Sequence, residues 1–210
     1  MKPTFATEPL MISVVLATRN RHKVEELSAM LSELPLKILS FHDFPDMPDV
    51  VEDGATLEEN AVKKARAVAS FTGLPSLADD TGLEVEALDG APGVRSARFA
   101  GEPPNWGANN RKLLADLNGI VGSARAAAFR CVVALAVPGG GVRTVEGVTR
   151  GVILEAPRGE GGFGYDPLFL PEGHDLAYAE MRPDRKNAVS HRGKAIKAAR
   201  SLVMALVGDG

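Results

Sequence analysis

Apolar positions change their period several times along the chain, and each change marks an element. Ile12 to Ala17 is a continuous, β-branched-rich run of the kind that forms a buried strand. From Arg21 the spacing becomes three or four residues, with Val24, Leu27, Leu31 and Leu34 on one stripe, which predicts a helix that stops before Pro35. Leu36 to Leu39 reads as a short second strand. Phe41 to Gly54 has no period, two prolines and five acids, and reads as a long loop of the kind that carries function. Thr56-Leu57-Glu58-Glu59 forms a capping box that opens an Ala- and Lys-rich helix ending at Gly73.

Behind Leu77-Ala78-Asp79-Asp80-Thr81-Gly82, the residues Leu83, Val85 and Ala87 alternate with Glu84 and Glu86, the period of a half-buried strand with Asp79 and Asp80 at its edge. In extended backbone these two carboxylates point to opposite sides and cannot do the same job. Asp-Asp-Thr-Gly is also ordinary turn composition, and the fragment by itself does not choose. Asn105 to Leu117 predicts a helix burying Trp106, Leu113, Leu114 and Leu117. Ala126 to Val137 is the longest apolar strand. Pro138 to Gly141 turns it into a second, Arg143 to Val148, and Gly151 to Leu154 reads as a third. A last helix carries Ile196, Ala199, Val203 and Leu206 on one face. Strands alternating with helices early, and hairpins later, point to a mixed α/β sheet rather than a purely parallel one.

Length and composition narrow this picture. The 210 residues suit a single domain, taken as 12–210, behind residues 1–11, which lack periodicity and read as a flexible arm with Met11 as an alternative start. Hydrophobic content of 45% and charged content of 24% exclude a disordered chain. A net charge of −3 argues against binding nucleic acid through bulk electrostatics, so a bound anion must be met by a local cluster of Lys and Arg. The lone Cys131 can form no internal disulfide and reads as a core residue. Leu10 to Ala17 is too short for a membrane span and lacks a cleavage site behind it, which makes the cytoplasm the expected location.

Four stretches carry candidate chemistry. The loop Thr18-Arg19-Asn20-Arg21-His22-Lys23 offers a hydroxyl, an amide, cations and the free N–H groups of a helix start, all suited to phosphate; it is equally a polar strand–helix connection with an Asn cap. Glu52 precedes the helix that bears Lys63 and Lys64, one of which either faces the acids or belongs to a solvated face. Gly159-Glu160-Gly161-Gly162-Phe163-Gly164 matches the dinucleotide-binding pattern in letters only, because Tyr165-Asp166-Pro167 follows where a helix is required. It reads instead as a flexible loop presenting Phe163 and Tyr165, to stack on a base or to pack beneath the loop. Lys186, Ser190, His191, Arg192 and Lys194 stand at the front of the last helix, where cations oppose the macrodipole unless an anion or a carbonyl oxygen sits there.

Five motifs then stand in order: Thr18-x-Asn20-x-x-Lys23, Glu59-Asn60-Ala61, Asp79-Asp80-Thr81-Gly82-Leu83 with Gly90-Ala91-Pro92-Gly93, Gly162-Phe163-Gly164-Tyr165-Asp166-Pro167, and Ser190-His191-Arg192-Gly193. Together, over Ile12 to Val207, they resemble the inosine triphosphate pyrophosphatase family. The resemblance implies a strongly twisted mixed sheet flanked by helices, with two lobes and a deep nucleotide-binding cleft between them. It further implies a Mg²⁺-dependent homodimer that hydrolyses deaminated purine nucleoside triphosphates such as dITP, ITP and XTP to a monophosphate and pyrophosphate. Carried over by position, Thr18, Arg19, Asn20, Arg21, His22 and Lys23 hold the triphosphate, joined by Lys64. Glu52 and Asp79 are the metal-side carboxylates, Asp80 is the general base, and Thr81 stands beside it. Phe163, Gly164, Tyr165, Asp166, Lys186, His191 and Arg192 form the base-recognition set. Thr81 replaces the more usual Ser, and Arg19 stands where many members have Gly. The rival expectations are a pyrophosphatase of similar fold acting on other modified nucleotides and a non-catalytic nucleotide-binding protein.

Overall fold

The computed structural model describes residues 11–208, so the expected arm over 1–11 lies outside the described residues apart from Met11. The sheet has the strand order β2-β1-β3-β5-β6-β7, with β4 attached to β3. β1 (Ile12–Leu16) runs parallel to β2 (Leu36–Leu39) and to β3 (Ser76–Val85). β3 is antiparallel to β4 (Pro92–Gly93) and to β5 (Ala126–Ala136), and β5, β6 (Val142–Ile153) and β7 (Phe169–Pro171) continue antiparallel. This is the mixed α/β sheet that the patterning predicts.

The two runs expected at Arg143–Val148 and Gly151–Leu154 are one strand. β5 pairs with β6 without interruption from Ala126↔Val152 to Ala136↔Val142, and the glycines inside β6 serve close approach rather than a break. A Cβ on Gly147 would collide with the carbonyl of His191 and the amide nitrogen of Ala195, so glycine there lets a helix backbone lie directly on the strand.

Alternation along β3 and β5 sorts the core into two faces. Leu77, Cys131, Val133 and Leu135 point toward α1 (Arg21–Leu31) and α5 (His191–Gly208), where Leu27, Leu31, Ile196, Ala199 and Val203 bury their stripes. Ala78, Val132, Ala134 and Ala136 point the other way, onto α2 (Leu57–Thr72). The small side chains on this face let α2 approach closely. Beyond them, α3 (Trp106–Asp116) packs Leu113 with Leu117 against Leu83, Val85, Phe129 and the segment around β7. α4 (Pro183–Val189) is a short helix directly ahead of α5.

α2 starts and stops as its sequence demands. Thr56 Oγ1 accepts from the Glu59 amide at 3.1 Å, Gly73 takes the left-handed conformation at φ 67°, and the Glu59 carboxylate turns one residue further out than in a reciprocal capping box, to the Ala55 amide at 2.7 Å. Among the described residues no helix is long and apolar enough to cross a membrane.

The feature that positions the site is a gap beside β3. β1 pairs only with Ser76 and Leu77, and β4 only with Leu83 and Glu84. Between them Ala78 to Gly82 have β5 on one side and, among the described residues, no strand on the other. Asp79 and Asp80 therefore sit in the middle of a strand, opposite Val133 and Val132, and not at its edge as the patterning suggests.

Candidate active site

A cavity of about 330 Å³ opens at this gap. Its walls come from the β1–α1 connection, the 41–54 loop, α2, β3, α3 and the 163–192 region, elements that only the folded sheet brings together.

On one face of β3, Asp80 looks toward α2. The buried Lys64 ammonium donates to the Asp79 carbonyl at 2.8 Å and to Asp80 Oδ1 at 3.2 Å, and pairs with Glu52 Oε2 at 3.2 Å. Asn60, one turn earlier, donates to Asp80 Oδ2 at 3.4 Å while its own oxygen accepts from the Gly54 amide at 2.8 Å, tying the 41–54 loop to the site. Of the two candidate lysines, Lys64 faces the acids and Lys63 pairs outward with Asp53. Burial pushes the Asp80 carboxyl up, Lys64 and Lys23 pull it back, and Glu52 and Asp79 add to the rise, leaving it above the ordinary carboxylate value. For Lys64, burial opposes the charge, but Asp80, Glu52 and Asp79 outweigh it and raise its pKa. It is a firmly charged ammonium between two carboxylates.

On the other face Asp79 is fully buried and is not part of the cavity wall. Its Oδ2 receives Lys23 Nζ at 3.1 Å, Arg192 Nε and Nη2 at 3.1 Å each, and the Thr81 hydroxyl at 3.2 Å, while Oδ1 is buried without a partner. Burial alone would push this carboxyl up, yet Lys23, Arg192 and Lys64 hold it far below the usual range. Glu52 and Asp79, the metal-side carboxylates that the resemblance implies, meet different partners: Glu52 pairs with Lys64, and Asp79 faces Lys23 and Arg192. The carboxylate that meets Glu52 across Lys64 is Asp80, because neighbouring side chains on a strand face opposite ways.

Arg192 and Lys186 converge on one further acid. The Glu26 carboxylate on α1 accepts from Lys186 Nζ at 2.7 Å and pairs with Arg192 Nη1. Burial works against its ionisation, but Arg192 and Lys186 hold its pKa below the ordinary value. Sequence reasoning missed Glu26. The available signal was its place three residues after Lys23 on the same helix, which puts both on one side of α1.

The Gly-rich loop places its two aromatic residues differently. Phe163 lines the cavity with Lys186 Nζ 5.1 Å and the Arg192 guanidinium 5.5 Å from its ring centre, and Asp166 fixes the loop by accepting from the Phe163 amide at 2.7 Å and from Lys186 at 2.8 Å. Tyr165 is not presented on a flexible loop; it is buried, and its hydroxyl donates to the Ser96 carbonyl at 2.9 Å. The buried His191 ring stacks on Phe129 at 4.5 Å and 13°. Burial, then Arg192 and Lys186, keep its pKa well below the ordinary value, so it stays neutral. Lys186 belongs to α4, one turn before Ser190, rather than to the front of α5.

The six-residue phosphate loop is only partly convergent. Asn20 is the α1 cap: its side-chain oxygen accepts from the His22 and Lys23 amides at 3.0 and 3.3 Å, and the Thr18 hydroxyl accepts from the Asn20 amide at 3.2 Å. Thr18, Asn20 and Lys23 line the cavity, but Arg21 and His22 do not. They are exposed, with the His22 ring stacked on Phe163 at 5.4 Å. Arg19 reaches the cavity edge and is spent on the 41–54 loop, donating to the Met47 carbonyl at 2.7 Å, pairing with Asp49 and lying 4.3 Å over the Phe41 ring. That staple accounts for an arginine at this position. Arg98, which sequence reasoning also passed over, donates to the Glu52 carbonyl at 3.1 Å and holds that acid's backbone in place.

Among the described residues no group of three or more His, Cys, Asp or Glu side chains is arranged to hold a metal ion. Glu52 and Asp80 nevertheless both line the cavity on either side of the Lys64 ammonium, each 3.2 Å from it, and supply two hard-oxygen carboxylates. This donor set suits Mg²⁺, which takes one or two carboxylates and completes its shell with water and substrate phosphate.

The Ham1 family model matches residues 14–202 of the chain. A dITP/XTP pyrophosphatase of Geobacter sulfurreducens is 55% identical over 186 residues, covering 89% of this chain and 94% of that protein. One from Desulforamulus reducens is 52% identical over 192 residues, covering 91% and 96%. The solved structure of a HAM1 protein from Coxiella burnetii superposes with a TM-score of 0.84 at 41% identity, over 93% of this chain and 100% of that one.

Proposed function

The chain belongs to the Ham1 family, and from that premise we propose that it hydrolyses deaminated purine nucleoside triphosphates such as dITP, ITP and XTP to the nucleoside monophosphate and pyrophosphate. The observation that carries the reading is that one cavity joins a carboxylate pair bridged by Lys64 to an aromatic ring flanked by Lys186 and Arg192. The first cluster suits an anhydride under attack by water, and the second suits a purine bearing a carbonyl oxygen.

Water adds through its oxygen to the α-phosphorus, the bond from that phosphorus to the bridging oxygen breaks, and pyrophosphate leaves. Asp80 orients this water and takes its proton, a role worth about 10²–10⁴-fold in rate. Its raised pKa supports base strength at neutral pH, and Lys64 and Asn60 fix both of its oxygens. Mg²⁺ held by Glu52 and Asp80 would neutralise charge on the phosphates and polarise them. Lys23 and Lys64 add fixed positive charge at the same end. Phe163 stacks on the base, while Lys186 and Arg192, held by their carboxylate partners, direct donors at the purine 6-oxygen and meet a second donor in the amine of adenine. The reading extends to a homodimer acting in the cytoplasm, without nucleic acid or membrane as partner, and these features come from the resemblance and the charge balance. Sedimentation at the mass of one chain refutes the dimer.

The test is pyrophosphate release from a panel of nucleotides by the wild type and by Asp80→Asn. ITP, dITP and XTP should be turned over well ahead of GTP and ATP, and Asp80→Asn should lose at least about 10²-fold in kcat while still binding ITP. Equal rates on ITP and GTP would sink the specificity, and an active Asp80→Asn would remove Asp80 as the base.

A further inference from the structure

The cavity has one wall to which the catalytic reading gives no task. Trp106, the chain's only tryptophan, is the first residue of α3 and lines the cavity beside Phe163 and Gly164. Its indole meets Phe163 edge-on at 6.5 Å and 64°, and Tyr165 at 5.8 Å and 77°. A Cβ built on Gly164 would stand 3.6–3.8 Å from three indole carbons, so the ring already lies flat against that turn of backbone. Four residues on, and therefore on the same side of the helix, Asn110 donates from its amide to the Gly164 carbonyl at 3.1 Å. α3 thus grips one glycine twice, once by an apolar face and once by a hydrogen bond.

The same helix is anchored independently of that grip. Asn109, fully buried, accepts from the Ala100 amide at 2.7 Å and donates to the Ala97 carbonyl at 2.9 Å, while Leu113 sits in the core. Asn105 caps the helix by accepting from the Ala108 amide at 2.9 Å. Trp106 therefore projects from a rigid start, partly exposed, with one side packed against the same core and α3 held by these other contacts as well. A partly exposed indole among aromatic rings at a cavity wall is a contact surface for a flat ligand, and its edge-on approach leaves the two Phe163 faces to other partners, one of them the exposed His22 ring that a base would displace or face across Phe163.

We propose that Trp106 is a base-positioning residue: with Asn110 it holds the Gly164 turn so that Phe163 presents its face to the purine, and its own indole forms the adjoining wall of the base pocket. This rests on the proposed nucleotide reading of the cavity. Two consequences separate it from a packing role. Binding of a base changes the environment of the sole indole, whereas binding of a bare polyphosphate does not. Losing the indole weakens base binding and leaves phosphate binding alone.

The experiment titrates the wild-type protein in EDTA, which prevents turnover, with ITP and separately with inorganic tripolyphosphate, following tryptophan fluorescence and calorimetry together. ITP is expected to quench or shift the emission saturably at the affinity measured by calorimetry, and tripolyphosphate to leave it unchanged. Trp106→Ala should bind ITP about five- to tenfold more weakly, with tripolyphosphate affinity within about twofold of wild type, and Trp106→Phe should recover most of the loss. In turnover with Mg²⁺ the Ala variant should raise KM by the same factor and hold kcat within about twofold. Calorimetric binding of ITP without any change in emission overturns the proposal, as does an equal loss of ITP and tripolyphosphate affinity in Trp106→Ala. If wild-type protein responds to other nucleoside triphosphates by fluorescence but fails to hydrolyse ITP, the positioning role stands and the substrate assignment fails.

Discussion

Replacing Asp79 with Asn tests whether this carboxylate anchors the site or ligates metal. The substitution keeps the shape and deletes one buried negative charge. Lys23 Nζ and Arg192 both stand 3.1 Å from Asp79 Oδ2, and all three side chains are largely or fully buried. Breaking a buried ion pair from one side costs about 3–5 kcal/mol, because the remaining charge stays desolvated. Arg192 keeps Glu26 and the Thr81 hydroxyl, which favours the lower end. At about 2–4 °C per kcal/mol for a chain of this size, the melting temperature should fall by roughly 6–15 °C at pH 7. Burial raises and Lys23 with Arg192 lowers this carboxyl's pKa, leaving it well under its unfolded value of about 3.9. Its stabilisation is therefore fully present above that pH and disappears only as pH falls through the folded value. The gap between wild type and variant should be flat above about pH 5 and narrow in stronger acid. Calorimetry across pH, paired with a Mg²⁺ titration of the rate, reads both properties. An anchor shifts stability and KM and leaves the Mg²⁺ requirement unchanged. An unaltered melting temperature with a Mg²⁺ requirement raised tenfold or more would refute this assignment and restore Asp79 to the metal.

Other substitutions probe neighbouring parts of the network. Glu26→Gln removes the shared partner of Lys186 and Arg192, and should raise KM for ITP about tenfold while narrowing the preference for ITP over GTP, as measured by kcat/KM on both. His191 stays neutral when folded, so the unfolded chain takes up a proton below about pH 6.5 that the native chain refuses, and stability falls there by up to about 1.4 kcal/mol per pH unit. His191→Phe, which preserves the stack on Phe129, should abolish that part of the slope in urea denaturation between pH 5 and 6.5; parallel slopes would contradict it. Gly147→Ala pushes a methyl group into the α5 backbone and should cost about 1–3 kcal/mol, visible as a lower urea midpoint with an unchanged m-value.

The sequence made the elements legible wherever one face was buried with a clear period. The α1 and α5 stripes, the start and stop of α2 and the opposed faces of Asp79 and Asp80 are all present in the fold. Periodicity could not show that Asp79 and Asp80 lie beside a gap in strand pairing, because that depends on where β1 ends against β3. It split β6 into Arg143–Val148 and Gly151–Leu154, because glycine reads as punctuation when its actual use is close packing. In the site, residue type left Lys63 and Lys64 undecided, and it was the resemblance that set Lys64, Asp80, Phe163, Lys186 and Arg192 at one nucleotide; all five line the cavity. Type alone could not tell a loop staple from a phosphate ligand at Arg19, nor a buried ring from a presented one at Tyr165, since both depend on partners distant in sequence.

The node around Asp79 and Glu26 also bears on when the site comes into being. Asp79 and Arg192 are 113 residues apart, and Glu26 and Arg192 are 166 apart. Contacts of such long range form late, after the shorter loops have closed. During synthesis the first helix and the central strand emerge with Lys23, Glu26 and Asp79 already in hand, but their guanidinium counterpart arrives only with the final helix. Until that helix docks, Asp79 and Glu26 lack the guanidinium they share, and the base end of the cavity lacks Arg192. A ribosome-stalled product ending before Arg192 lacks both this guanidinium and the Ile196, Ala199 and Val203 stripe that α5 adds to the core, and should not bind nucleotide.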